Sequence, residues 1–355
     1  MKKEVKIGNS LIGYKSPTYF IADIASNHDG SLLRAKKLIQ MAAEAGANAA
    51  KFQNFTAETL VSSAAFSKIG NIAHQSDWKE STFEGYNKVR VPVEWTEELK
   101  LECKKNKIDY FTSPYSLEFI EQLDPHVSAW KVGSGEISWH DSIKKMAETN
   151  KTIIVATGAS EQFEVAKVVD MVLKINKNLV LMQCNTNYTG SKENFKYINL
   201  NVLTTYSKLF PDLLLGLSDH TPGHSTVLGA VTLGAKFIEK HFTDNNDLPG
   251  PDHKFSMSPK DWKEMVDTTR ELEAALGDGI KKIEKNELET VVIQRRGIRA
   301  NKLIKKGQII KEADLSFLLP CDKNCLPPYK KNLVINKKAK VDILKDENIN
   351  TENII

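Results

Sequence analysis

The chain has 355 residues, 41% of them apolar and 26% charged, with a formal net charge of +4. This is an ordinary globular composition, long enough for one large domain and a small one. No apolar run is long enough to span a bilayer, and Met1-Lys2-Lys3-Glu4 leads into no apolar secretory core; the expectation is a cytoplasmic protein without a membrane partner. Four cysteines are too few and too scattered for a disulfide framework. Cys321-x-x-x-Cys325 is a single pair, half of what a structural zinc site needs, and reads as two reduced thiols in a loop.

From residue 19 to about 276, strand-like and helix-like segments alternate. Eight short apolar runs have the character of buried parallel strands: Tyr19–Ser26, Ala49–Phe55, Asp109–Tyr115, Ala129–Gly135, Thr152–Gly158, Leu179–Asn185, Leu213–His220 and Phe237–Thr243. Amphipathic segments follow, among them Leu32–Ala45, where Leu38, Met41 and Ala42 share a helical face, then Glu94–Asn106, Phe163–Ile175 and Pro259–Leu276. Eight such units predict a (β/α)8 TIM barrel over residues 1–280; a doubly wound open sheet is the alternative. The excursion from Thr56 to Arg90 is too long for an ordinary βα loop, and on a barrel it would lie over the C-terminal face. Residues 281–290 read as a linker, and 291–355 as a small β-rich domain, short for independent stability. That last stretch carries 14 Lys/Arg and 7 Asp/Glu, against a net −3 for residues 1–290. Its lysines alternate with apolar residues and lack interleaved aromatics, which argues against nucleic acid as a partner.

On a barrel, polar residues at the C-terminal strand ends read as catalytic. Lys51 and Lys131 lie inside the second and fourth strands, where an unpaired ammonium is costly. They call for an anion, phosphate or carboxylate, or for an ion pair with Asp23 or Glu136. His220 and His241 end the seventh and eighth strands, neighbours in a barrel. Two imidazoles converging there can ligate a divalent metal and leave positions open, with Asp252 joining through water. Asp23 and Glu136 are carboxylates where packing wants none, suited to proton transfer or to stabilising a cationic transition state.

These strand-end motifs, in this order, resemble the sialic acid synthases. The segments are Ile21-Ala22-Asp23-Ile24-Ala25-Ser26-Asn27-His28-Asp29-Gly30, Lys51-Phe52-Gln53, Lys131-Val132-Gly133-Ser134-Gly135-Glu136, Gly216-Leu217-Ser218-Asp219-His220-Thr221, Glu239-Lys240-His241-Phe242-Thr243 and Gly250-Pro251-Asp252-His253. The tail resembles the antifreeze-like (SAF) domain of that family, with Ile304-Lys305-Lys306-Gly307 at its turn. The resemblance implies a phosphoenolpyruvate-dependent condensation with an open-chain N-acyl-hexosamine, giving a sialic acid or related nonulosonate such as legionaminic or pseudaminic acid. It implies Mn²⁺ or Mg²⁺ on His220 and His241. It implies phosphoenolpyruvate contacts from Lys51, Lys131, Ser113, Ser134 and Ser218, and acid/base or water-orienting work by Glu136. Sugar or metal-shell contacts fall to Asn71, Thr186, Tyr188 and Asp252. It also implies a domain-swapped homodimer.

Three positions depart from the family pattern. Asp23 replaces a Glu, Thr186 replaces an Asn, and Leu319 stands where an Arg reaches the sugar, with Lys323, Arg295, Arg296 and Arg299 nearby. All three bear on the acceptor, so the same chemistry on a non-acetylated or phosphorylated aldose is the second expectation. A non-catalytic sugar-phosphate binder on the same fold is the third.

Overall fold

The computed structural model describes residues 4–69 and 81–355. Two compact units divide the chain, Met1–Gly277 and Asp278–Ile355.

The first unit opens with a hairpin of β1 (Val5–Ile7) and β2 (Ser10–Ile12). Eight strands follow: β3 (Tyr19–Asp23), β4 (Ala49–Asn54), β5 (Asp109–Pro114), β6 (Ala129–Val132), β7 (Thr152–Ala156), β8 (Leu179–Cys184), β9 (Leu214–Ser218) and β10 (Ala235–His241). All pair in parallel, each with its sequence neighbour, and β10 closes on β3. The eight apolar runs therefore form a closed barrel and not an open sheet. β3, β7, β8 and β9 are buried at every position, as strands wrapped by helices must be.

The helices form for local reasons. Leu32–Glu44 starts at Ser31, whose hydroxyl accepts from the Arg34 N–H, and it buries Ala35, Leu38, Ile39 and Ala42. Pro259–Leu276 starts at Ser258 with proline in its first turn, buries Trp262, Met265 and Val266, and stops at Gly277 with φ 60°. Thr96–Lys105 and Gln162–Ile175 cover further strands. Short helices at Leu117–Leu123, His140–Glu148, Val202–Leu209 and Ser225–Thr232 complete the ring.

The hairpin sits at the strand starts. Asp109, the first residue of β5, accepts from the Tyr19 hydroxyl at 2.6 Å and from Ser10 at 3.4 Å. Thr152, the first residue of β7, donates to the Lys6 carbonyl at 2.7 Å. The hairpin is thereby tied to the N-terminal end of the barrel.

The second unit has its own core of Ile298, Ala300, Ile304, Ile310, Leu315, Val334, Ala339, Ile343, Ile349 and Ile354. A two-stranded sheet pairs β11 (Gly297–Ala300) with β12 (Leu315–Leu318), antiparallel, and isolated bridges such as Ile304 to Ile343 tie in the rest. Among the described residues no helix is long and apolar enough to cross a membrane.

Candidate active site

Strand register assembles the site. Asp23 ends β3 and is the register partner of His241 on one side and Lys51 on the other. Ser218, ending β9, is the partner of Glu239. Side chains alternate along a strand, so Glu239 and His241 share the inner face of β10 while Lys240 points outward.

The result is a buried array of charges. Lys51 Nζ lies 2.7 Å from Asp23 and 3.3 Å from Glu239; Lys131 Nζ lies 3.2 Å from Glu239. All four side chains are at most 4% exposed. Gln53 donates to Asp23 at 3.1 Å and Ser218 to Glu239 at 3.4 Å. Two ammoniums face two carboxylates, so the lysines are already paired. Of the pairings the sequence offered, Lys51 makes the one with Asp23. The partner of Lys131 is Glu239 and not Glu136, because Glu136 lies in the turn Ser134–Glu136 beyond the end of β6.

Burial pulls Lys51 down, but Asp23 and Glu239 outweigh it and leave its pKa raised. For Lys131 burial wins over Glu239 and its pKa is lowered. Lys131 is the less compensated cation and gains more from an arriving anion. Burial raises the Asp23 carboxyl in spite of Lys51. Burial would raise Glu239 too, but Lys131 and Lys51 hold it low.

Beside this array stand His220 and His241, ring centres 5.4 Å apart. His241 Nε2 is 3.5 Å from Asp23 and its Nδ1 is 3.8 Å from Asp252. His241 is held neutral by burial, with a pKa down to about 3, and its Nδ1 has no hydrogen-bond partner. His220 Nδ1 meets the Asn185 carbonyl at 3.0 Å. Burial opposes charge on His220, but Cys184 outweighs it and raises the imidazole pKa. The Tyr188 ring lies 4.5 Å from His220 and 6.2 Å from His241. Among the described residues no three His, Cys, Asp or Glu side chains gather closely enough to enclose an ion. A neutral His241 with its Nδ1 unmet, beside His220, fits an open two-imidazole site completed by water or substrate, not a closed cage.

Ser134 accepts from the Gly158 N–H at 3.0 Å. A Cβ at Gly158 would stand 1.9 Å from Thr186 Oγ1 and 2.9 Å from Ser134 Oγ, so this glycine lets both hydroxyls approach one point. Ser113 Oγ and Glu239 Oε2 are buried without partners. Native interiors rarely leave polar atoms unmet; with His241 Nδ1 these are unmet polar atoms near the C-terminal ends of β5 and β10. Glu136 is half-buried, and burial raises its carboxyl.

A cavity of about 140 Å³ opens among Gln53, Tyr86, Tyr115, Tyr188, His241 and Asp252, with Leu60 also on its wall. Leu60 and Tyr86 come from the long excursion after β4, which therefore does reach the C-terminal face. Asn71 lies outside the described residues. A larger depression of about 460 Å³, lined by Lys144, Lys167 and Lys174, is on the outer helices and touches none of these groups.

Of the residues expected from sequence, Asp23, Lys51, Lys131, Ser218, His220, His241, Tyr188 and Asp252 come together through these contacts. Ser134 and Thr186 meet at Gly158, and Ser113 is buried on β5. Glu239, Gln53 and Tyr115 were missed. Strand alternation carried the signal for two of them: an inward His241 makes Glu239 inward, and an inward Lys51 makes Gln53 inward.

The NeuB family model matches residues 38–281, which span β4 to β10. The chain belongs to the NeuB family. An N,N'-diacetyllegionaminic acid synthase of Campylobacter jejuni is 36% identical, over 86% of this chain and 91% of that protein. The human N-acetylneuraminate-9-phosphate synthase is 30% identical, over 96% and 94%. Among solved structures, an N-acetylneuraminic acid synthetase of Leptospira borgpetersenii in complex with citrate superposes with a TM-score of 0.71 at 27% identity, over 82% of this chain and 96% of that one. This NeuB-family chain is thus related to nonulosonate synthases along the whole barrel.

Proposed function

We propose that this chain condenses phosphoenolpyruvate with an open-chain N-acyl-hexosamine to give a nonulosonate and inorganic phosphate. The observation that carries the reading is the Asp23–Lys51–Glu239–Lys131 array beside the His220–His241 pair, at the barrel mouth of a NeuB-family chain. Lys131 and Lys51 take the phosphate and carboxylate of phosphoenolpyruvate, with hydroxyls from Ser113, Ser134 and Ser218. The anion competes with Glu239 for Lys131, and Glu239 Oε2 is free to accept a proton or a substrate hydroxyl. His220 and His241 would hold a divalent cation, Mn²⁺ or Mg²⁺, whose contribution is to polarise the aldehyde oxygen. C3 of phosphoenolpyruvate bonds to the aldehyde carbon, and the aldehyde oxygen gains a proton. Water adds at C2, guided by Glu136 or Asp23 as base. The C2–O bond to phosphorus then breaks, releasing phosphate and leaving the 2-keto acid. Tyr188, Thr186 and Asp252 position the sugar, with Asn71 in the same role.

The acceptor reading rests on the departures. Leu319 is exposed and uncharged. Arg296 and Arg299 are committed to the carbonyls of Phe317, Asp346 and Pro320, so neither replaces the missing family Arg from within its own unit. A hydrogen-bonding site discriminates steeply by such contacts, which keeps the same condensation on a non-acetylated or phosphorylated aldose as the second reading. The residue 278–355 unit acts as an antifreeze-like (SAF) domain in a swapped homodimer in this reading, and light scattering on the purified chain tests that state. For the chemistry, the chain is mixed with phosphoenolpyruvate, Mn²⁺ or Mg²⁺ and a panel of acetamido-hexoses, simple aldoses and their phosphates. Phosphate release that depends on one acceptor is the expected result; silence across the panel contradicts the proposal.

A further inference from the structure

The loop after β12 carries two free thiols, Cys321 and Cys325. A turn brings them together. The Cys325 N–H donates to the Asp322 carbonyl at 3.1 Å, and the Asn324 N–H to the Asp322 carboxylate at 3.0 Å. The Cys321 thiol reaches the Cys325 carbonyl at 3.5 Å. β11 makes room for them. The point where a Cβ on Gly297 would stand is 1.7 Å from Cys325 Sγ, 3.4 Å from Cys325 Cβ and 3.5 Å from Cys321 Cβ. Any side chain at 297 would take the place of the Cys325 sulfur, so the dithiol is seated in a cradle that only glycine leaves open.

The pair is asymmetric. Cys325 is buried and Cys321 half-buried. Burial, and then Cys321, pushes the Cys325 thiol up to about 11. The Arg299 guanidinium borders the loop, donating to the Pro320 carbonyl at 2.8 Å, while its Nε is buried without a partner. Two sulfurs alone do not hold a structural metal, and no third donor gathers among the described residues.

The geometry points to a redox modification site, in which Cys321 and Cys325 are reversibly oxidised by a hydroperoxide to a disulfide within the loop. The more accessible Cys321 thiolate attacks one peroxide oxygen. The O–O bond breaks, the leaving oxygen takes a proton, and Cys321 becomes a sulfenic acid. Cys325 sulfur then attacks Cys321 sulfur, the S–O bond breaks, and the hydroxyl departs as water with the Cys325 proton. Two thiols have lost two electrons and two protons, and hydrogen peroxide has become two waters. A small-molecule dithiol reverses the step by exchange. Cys103 and Cys184 are buried in the other unit and serve as internal controls.

The test uses the full chain and hydrogen peroxide, followed by intact mass and a tryptic map. Trypsin cleaves after Lys323, between the two cysteines, so the disulfide holds two tryptic pieces together. The expected result is a loss of two hydrogens, those two pieces linked, Cys103 and Cys184 still titratable, and full reversal by dithiothreitol. In C325S a dimedone adduct should accumulate on Cys321, and in C321S the reaction of Cys325 should slow by about tenfold or more. A measurement without mutation accompanies these: the reduced chain should take up one equivalent of phenylarsine oxide, which bridges paired thiols, and lose that capacity after peroxide. Stepwise oxygen addition to Cys321 with no link, a link to Cys103 or Cys184, a link between chains, or no arsenical uptake would each overturn the proposal.

Discussion

Two buried ion-pair clusters lie on opposite faces of β10, and they are built differently. On the outer face, Lys240 pairs with Asp219 and donates to the Thr221 carbonyl at 2.7 Å. Thr226 and Thr221 fill the remaining lone pairs of Asp219 at 2.8–3.0 Å. Nothing there is left over. On the inner face, one oxygen of Glu239 is shared by Lys51, Lys131 and Ser218 while the other has no partner, and Ser113 Oγ and His241 Nδ1 are likewise unmet. A satisfied cluster holds structure; in the proposed reading the cluster short of partners is the one kept for a ligand.

The comparison makes graded predictions. Lys240→Met leaves Asp219 buried and unpaired and should lower unfolding free energy by about 3–5 kcal/mol in urea titration, with turnover per folded molecule changed only a few-fold. Glu239→Gln should do the reverse: phosphate release falls by roughly 10²–10³-fold, as for loss of a preorganised charge in a dry site, with a smaller shift in the urea midpoint. If the two variants behave alike, the distinction between the faces is wrong. Lys131→Met should raise the KM for phosphoenolpyruvate by roughly 10–100-fold, since hydrogen bonds to charged groups are worth about 1.5–3 kcal/mol, and steady-state kinetics reads this directly.

The smallest effect concerns Glu136. Burial holds its carboxyl above its ordinary value of 4.5, so the folded chain keeps that proton longer than the unfolded chain. Its contribution to stability therefore falls as pH rises from 4.5 through the folded value, and is flat above it. Subtracting Glu136→Gln from the parent chain in urea midpoints across that window should reveal the slope. A difference that stays constant with pH would show that the carboxyl is not perturbed.

The barrel was legible because strands buried on both faces are near-continuous apolar runs, and all eight stand where those runs lie. The β1–β2 hairpin was not, because three-residue strands carry too little pattern to read. At the site, Asp23, Lys51 and Lys131 were legible as charges where packing wants none. Their pairing was not. That Lys131 meets Glu239 across the barrel depends on strand tilt and closure, which no local pattern contains. Glu239 was passed over although its alternation with His241 placed it inward. The role of Gly158 in admitting Thr186 and Ser134 is a contact between three strand ends and has no sequence signature.

The central claim is that the unsatisfied inner cluster is a phosphoenolpyruvate-dependent condensation site. The most direct measurement follows inorganic phosphate and aldose together in one reaction of the purified chain with phosphoenolpyruvate and a divalent cation. One phosphate released for each aldose consumed, abolished by His241→Ala, is the predicted result. Phosphate release that continues without any aldose, or that survives His241→Ala unchanged, would contradict the account.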